Sequence, residues 1–305
     1  MQSGVAQVKA AHVRVEAPAK INLILRVLDR RPDGYHDVWS LMQTVALCDD
    51  LRIAIHPAES PAIDLRCDDA ALPADKTNLV FRAAALVLDR TGHRMRISIE
   101  LQKRIPMGAG LGGGSSDAAA TILALNHLLE LGWSRPMMAD IGQMLGSDVP
   151  FFFAAPTAVA TGRGETVEAT ALAENRWVLL VNPGFAIDTR WAYQQLSSTR
   201  RGIVPLHDTA EGLGRMPVVE WPAIIDAAAN DFEEPVYRAH PILREIKDGL
   251  ISAGAEMALL SGSGATVFGI FRDEARASQA HALFGRDSER KVFLVETCRH
   301  PLICR

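Results

Sequence analysis

The chain has 305 residues, enough for two domains or one large one, and 48% of them are hydrophobic, ample for a real core. A formal charge of −4 with 22% charged residues argues against a nucleic-acid surface, and no apolar run approaches the length of a membrane span. Cys48, Cys67, Cys298 and Cys304 form no C-x-x-C pair, so they read as reduced thiols of a cytoplasmic protein and not as a metal site.

Residues 1–11 are mixed in character and lack a signal-peptide core, which predicts a short disordered lead. Residues 13–16 and 22–28 read as strands on either side of a Pro18-Ala19-Lys20 break, and residues 30–34 as a turn. A strand follows at 50–55. Residues 78–89 predict a helix, with Leu79, Ala83, Leu86 and Val87 on one face. Residues 96–101 alternate as a strand, and helices are expected over 118–131 and 135–145. Residues 159–167, around Gly162-Arg163-Gly164, resemble a hairpin. The second half opens with a strand at 177–181, and a variable loop is expected over 202–222. It closes with a helix over 241–253, a strand at 258–260, the glycine turn Ser261-Gly262-Ser263-Gly264, a strand at 266–271, a helix over 274–283 and a strand at 291–297. That order is an α+β sandwich pattern.

The most informative stretch is residues 106–117, where five of twelve residues are glycine and an apolar helix follows a strand and loop. Such a loop presents backbone N–H groups to a small volume at the positive end of a helix dipole, which suits phosphate. The stretch ends in Gly114-Ser115-Ser116, without the lysine that a Walker A loop needs. Gly108, Gly110 and Gly113 fit G-x-G-x-x-G, but the acidic partner expected about 20 residues on is missing, which disfavours a dinucleotide. Ser115 and Ser116 suit helix caps, and one of them is a candidate to face phosphates or Mg²⁺. Asp117 favours the helix dipole.

Two other segments carry candidate chemistry. By itself, Lys20 in Pro18-Ala19-Lys20-Ile21-Asn22 reads as a snorkelling lysine at a strand end, and Asp148 in Gly146-Ser147-Asp148-Val149-Pro150 as a turn aspartate. The alternative pairs them, so that the ammonium keeps the carboxylate ionised and ready to accept a proton from a hydroxyl.

Together these segments resemble the GHMP-type small-molecule kinases from about residue 13 to residue 295. The loop at 106–117 and Ser261-Gly262-Ser263-Gly264-Ala265 carry the superfamily resemblance. Residues 17–23, Asp33-Gly34-Tyr35-His36 and residues 146–152 point to the branch that acts on 4-diphosphocytidyl-2-C-methyl-D-erythritol (CDP-methylerythritol). The resemblance implies a two-domain GHMP kinase fold: an N-terminal ribosomal-protein-like domain over 1–165 with the ATP loop, and a C-terminal ferredoxin-like α/β sandwich over 166–305. It implies ATP and Mg²⁺, a small-molecule acceptor, no nucleic acid, no membrane, a cytoplasmic location and a monomer or weak homodimer. Asp148 would be the general base and Lys20 its partner. Gly108, Ala109, Gly110, Leu111, Gly112, Gly113, Gly114, Ser115 and Ser116 would wrap the ATP phosphates, with Ser115 or Ser116 near Mg²⁺, and Asn78 and Met107 would lie by the adenine. Asn22 would touch the methylerythritol end, Tyr35 and Tyr193 would stack on the cytosine, and His36 would hydrogen-bond it. Thr189 would hold the substrate, and Gly262, Ser263 and Gly264 would approach its diphosphate. The alternatives are a homoserine or mevalonate-type kinase, a catalytically silent nucleotide-binding protein and, third, a dinucleotide-dependent oxidoreductase.

Overall fold

The structure, a computed structural model, describes residues 10–199 and 208–304. β1 (Ala11–Arg30) and β2 (His36–Pro57) pair antiparallel along nearly their whole length. The expected break at Pro18 is only a register shift between Pro18 and Ala19 within one strand. Proline has no N–H for the ladder, and a bulge absorbs that. The turn that joins the two strands uses Gly34 at φ +87° and the Asp33 carboxylate, which accepts the Tyr35 N–H at 3.1 Å. The first half of β2 has no strand signal in the sequence, because residues 38–45 are buried on both faces and do not alternate.

β3 (Ala62–Cys67), also unanticipated, lies parallel to β4 (Met95–Gln102), with α1 (Leu79–Thr91) as the crossover. Asn78 caps α1, accepting the Val80 N–H at 2.9 Å, and Gly92 ends it at φ +67°. α2 (Gly113–Leu128), α3 (Arg135–Gln143), α4 (Phe151–Ala154), β5 (Thr157–Thr161) and β6 (Thr166–Thr170) follow. The sheet order is β3-β4-β2-β5-β6, with β1 also on β2. The apolar face of α2 packs Ile122 and Leu125 with Ile53, Ile97 and Ile99 of the sheet, and each such buried side chain contributes about 1.5–3 kcal/mol.

The second half contains β7 (Trp177–Asn182), α5 (Thr189–Thr199), α6 (Asp208–Leu213), α7 (Trp221–Ala227) and α8 (Glu233–Ala239). It continues with α9 (Pro241–Ser252), β8 (Met257–Leu260), β9 (Val267–Phe271), α10 (Glu274–Phe284) and β10 (Lys291–Glu296). Its sheet is antiparallel throughout in the order β10-β7-β9-β8, the ferredoxin-like arrangement expected.

Three expectations need adjusting. The boundary at 165/166 falls in the β5–β6 turn. β6 pairs with β5 in the first sheet, so the crossing to the second domain lies within residues 171–176. Of the loop expected over 202–222, residues 202–207 lie outside the described residues, whereas 208–213 and 221 onward are helical. Buried Ala210, Leu213 and Trp221 hold that region to the core, and the Trp221 indole donates to the Glu174 carbonyl at 2.9 Å. Residues 1–9 of the expected lead also lie outside the described residues, and Ala11 already opens β1. Among the described residues, no helix is long and apolar enough to cross a membrane.

Candidate active site

A cavity of about 630 Å³ opens where the loop between β4 and α2 meets β1 and the β8–β9 turn. Gly108, Gly110 and Gly112 of this loop adopt φ of +59°, +74° and +70°, conformations that glycine takes without strain. A Cβ on Gly110 would stand 2.0 Å from the Ser261 carbonyl oxygen, so only glycine permits this approach. The loop is latched to both domains. Lys20 N–H donates to the Leu111 carbonyl at 2.9 Å, Thr266 N–H to that of Ala109 at 3.2 Å, and the Ser261 hydroxyl to that of Gly110 at 2.9 Å.

The N-cap of α2 is Gly112, and no side chain caps that end. The expected capping by Ser115 and Ser116 is therefore absent, because the helix starts at Gly113 and places both serines inside its first turn. The helix-start N–H groups stay available to an anion. The same start separates the serines. Ser115 lines the cavity, whereas Ser116 is fully buried and its hydroxyl meets no hydrogen-bond partner among the described residues.

Alternation along β1 puts Ala19, Ile21 and Leu23 in the core and turns Lys20 and Asn22 to the cavity. The Lys20 ammonium donates to the Asn22 side-chain oxygen at 2.7 Å and lies 3.6 Å from the Asp148 carboxylate. The Lys20 side chain is 5% exposed and that of Asp148 41%, so a buried cation faces a carboxylate open to the cavity. The snorkelling and turn readings give way to the pair. The Asn22 oxygen also accepts the Gly262 N–H at 2.9 Å, and its amide donates to the Ser40 hydroxyl at 2.8 Å. Asn22 thus fixes the Lys20 ammonium and ties it to the β8–β9 turn.

On the far wall, Tyr193 of α5 lines the cavity and packs edge-on to Phe232, with ring centroids 4.8 Å apart. Burial, helped by the nearby Asp148 carboxylate, pushes its phenol up to about 12. The His36 ring stacks on Tyr193 at 5.1 Å, and its Nε2 lies 3.2 Å from the Ser197 hydroxyl. His36 and Tyr35 stand outside the lining of the cavity, and Tyr35 is 58% exposed at its rim, beneath the Arg163 guanidinium. Thr189, Gly262 and Ser263 line the cavity, with the Thr189 and Ser263 hydroxyls 3.0 Å apart, whereas Gly264 does not. Met107 and Asn78 line it too, but the Asn78 side chain is committed to capping α1 and to the Pro73 carbonyl at 2.8 Å.

A cluster beneath the loop has no counterpart among the expected site residues. Lys103, at the exit of β4, lines the cavity and pairs with buried Asp117 at 2.7 Å and with Asp49. Asp49 also accepts the Arg104 and Ile105 N–H groups, at 2.5 and 2.9 Å. Burial pushes the Asp117 carboxyl up to about 7. Lys103 opposes that rise and Asp49 adds to it. Burial works against the Lys103 ammonium, but the two carboxylates outweigh it and raise its pKa. Asp117 is therefore more than a partner of the helix dipole. The sequence feature that could have pointed here is Asp49-Asp50 within an apolar stretch, since aspartate is depleted in strands.

Among the described residues, no group of three or more His, Cys, Asp or Glu side chains is placed to hold a metal. The oxygen donors at the cavity include the Asp148 carboxylate and the Ser115 hydroxyl. That sparse, hard set fits Mg²⁺, which keeps waters and is bound largely through substrate phosphates.

A glycine loop at a helix start, facing a lysine–aspartate pair across a cleft between two α+β domains, defines a small-molecule kinase of the GHMP class. Family models agree: the GHMP kinases N terminal domain matches residues 78–155, and the GHMP kinases C terminal model residues 219–284. The 4-diphosphocytidyl-2-C-methyl-D-erythritol kinase of Syntrophus aciditrophicus is 42% identical over 288 residues, covering 93% of this chain and 99% of the relative. A crystal structure of 4-(cytidine 5'-diphospho)-2C-methyl-D-erythritol kinase superposes with TM-score 0.75 at 31% identity, covering 94% of this chain and all of that one. A homoserine kinase from Cytophaga hutchinsonii reaches TM-score 0.76 at only 17% identity, covering 96% of this chain and 97% of its own, so the fold is common to different acceptors. The chain belongs to the 4-diphosphocytidyl-2-C-methyl-D-erythritol kinase family of the GHMP kinases.

Proposed function

We propose that this enzyme transfers the γ-phosphoryl group of ATP to the 2-hydroxyl of CDP-methylerythritol, a step of the non-mevalonate route to isoprenoid precursors. The observation that carries the reading is the meeting, on one cavity, of the glycine loop and the Lys20–Asp148 pair, beside an aromatic wall at Tyr193, whose ring His36 stacks on from outside the cavity. The loop N–H groups and the α2 dipole hold the phosphates and stabilise charge on the transferring group. Mg²⁺, held by the phosphates with Ser115, would neutralise further charge there. Asp148 accepts the proton of the 2-hydroxyl as its oxygen bonds to phosphorus and the bond from the γ-phosphorus to the bridging oxygen of ADP breaks. Lys20 pairs with Asp148 and polarises the hydroxyl. Positioning and electrostatics supply most of the catalysis in such transfers. The aromatic wall suits a base, whose stacking is worth about 1–3 kcal/mol.

Homoserine and mevalonate have no ring to place there, and a silent nucleotide-binding protein needs no Lys20–Asp148 pair. ADP release, measured with ATP and each of CDP-methylerythritol, homoserine and mevalonate, separates these readings. Release with the first alone is expected. Release with either of the others overturns the acceptor assignment, and release with none favours the binding protein.

A further inference from the structure

A loop with five glycines in twelve residues does not hold its own shape, because glycine restricts the backbone least. A phosphate site made of its N–H groups has to be fixed from outside. The middle of the loop is held through the Ala109, Gly110 and Leu111 carbonyls. Its entrance is held by Asp49, a fully buried residue of β2. One carboxylate oxygen accepts the N–H groups of both Arg104 and Ile105, at 2.5 and 2.9 Å, and the other pairs with the Lys103 ammonium.

The same group reaches the exit of the loop. The Lys103 ammonium also pairs with Asp117 at 2.7 Å, one turn into α2. It lies beneath the helix start: a Cβ built on Gly113 would stand 3.3 Å from Lys103 Nζ and 3.0 Å from Ile105 Cγ2. Asp49 thus joins the residues before the loop to the helix after it, through two N–H groups and one lysine. It stands outside the lining of the cavity, so it acts on a ligand through the loop alone. A buried ionic cluster is seldom the most stable filling for such a space, since apolar residues of like volume often serve as well or better. What the carboxylate supplies, and an apolar side chain lacks, is a fixed acceptor for two consecutive N–H groups.

We propose that Asp49 is a positioning residue for ATP, which shapes the phosphate loop in advance by gripping its entrance and, through Lys103, the start of α2. This rests on the reading of the loop as the ATP site. A loop already in shape binds without the cost of being ordered, so releasing the grip weakens nucleotide binding. The opposite wall, with Tyr193 of α5 and the β8–β9 turn, should not respond.

The test is calorimetric binding of the ATP analogue AMP-PNP with Mg²⁺, and separately of CDP-methylerythritol, to the wild type, Asp49→Asn and Asp49→Ala. Thermal unfolding of each ligand-free protein is measured alongside. Asp49→Asn keeps an oxygen for the N–H groups and loses the charge, and should weaken AMP-PNP binding about 3- to 10-fold. Asp49→Ala removes the acceptor and should weaken it about 10- to 100-fold. CDP-methylerythritol should bind both variants as it binds the wild type. Asp49→Ala decides if it unfolds cooperatively; if it does not, the isosteric Asp49→Asn decides. In the deciding variant, AMP-PNP binding equal to that of the wild type, or equal losses for the two ligands, overturns the proposal and leaves the cluster a structural one. If the wild type itself does not bind AMP-PNP, the ATP reading of the loop fails as well.

Discussion

Replacing Asp148 by alanine lowers turnover by about 10²- to 10⁴-fold, the range for loss of a positioned general base. ATP affinity is expected to stay as it was, because the proposed phosphate site is the set of N–H groups of residues 108–115 at the start of α2. The expectation rests on geometry. The Asp148 carboxylate is open to the cavity, lies 3.6 Å from an almost fully buried ammonium, and shares the space that the glycine loop faces. A partly exposed carboxylate is easily replaced in structural terms, so the variant should fold. The loss then falls on kcat and not on nucleotide binding. Single-turnover rates with ATP and CDP-methylerythritol, together with titration of an ATP analogue, check both halves. Near-normal turnover would remove Asp148 from the base role.

The second large effect concerns stability. Lys103→Ala should destabilise the fold by about 3–5 kcal/mol, the usual cost of removing one partner from a buried ionic group. Total stability of a folded domain is about 5–15 kcal/mol, so the deficit is a large part of it. Asp49 and Asp117 are both buried and would be left facing each other without their cation. The effect also has a sign in pH. The folded pKa of Asp117 already stands at about 7, above its ordinary 3.8, through burial first. Between those values the folded state binds a proton that the unfolded state has lost, so this group's contribution to stability falls as pH rises. Loss of Lys103 removes the influence that holds the Asp117 pKa down and extends the fall to higher pH. Urea unfolding should therefore show a larger deficit at pH 8 than at pH 5. A deficit below about 1 kcal/mol at both, or a larger one at pH 5, contradicts this.

Much of the site could be read from the letters because it is local. Glycine density between a strand and a helix fixes a phosphate loop, and residues 33–36 fix an aromatic turn. What no single segment shows depends on pairing across the chain. Lys20 and Asp148 are each ordinary in their own segments and become a pair only when β1 and the turn after α3 meet. The Asp49–Lys103–Asp117 cluster joins β2, the exit of β4 and α2, and of its members only the aspartate pair Asp49-Asp50 stands out in its own segment. Ser115 and Ser116 could be told apart only once the helix start was fixed at Gly113. In the fold, the ferredoxin-like half was legible because its strands and helices alternate cleanly. The first half of β2 was hidden because both of its faces are buried. Tyr35 stands outside the cavity lining and under Arg163, a contact between two turns that no local pattern encodes.

The most direct test is the proton-coupled ³¹P spectrum of the product formed from ATP and CDP-methylerythritol. Carbon 2 of the acceptor carries the methyl group and no hydrogen. Transfer to its hydroxyl gives a new phosphomonoester singlet, with the diphosphate resonances of the cytidine end retained. A triplet from a primary ester, a doublet from a secondary one, or no new resonance contradicts transfer to the 2-hydroxyl.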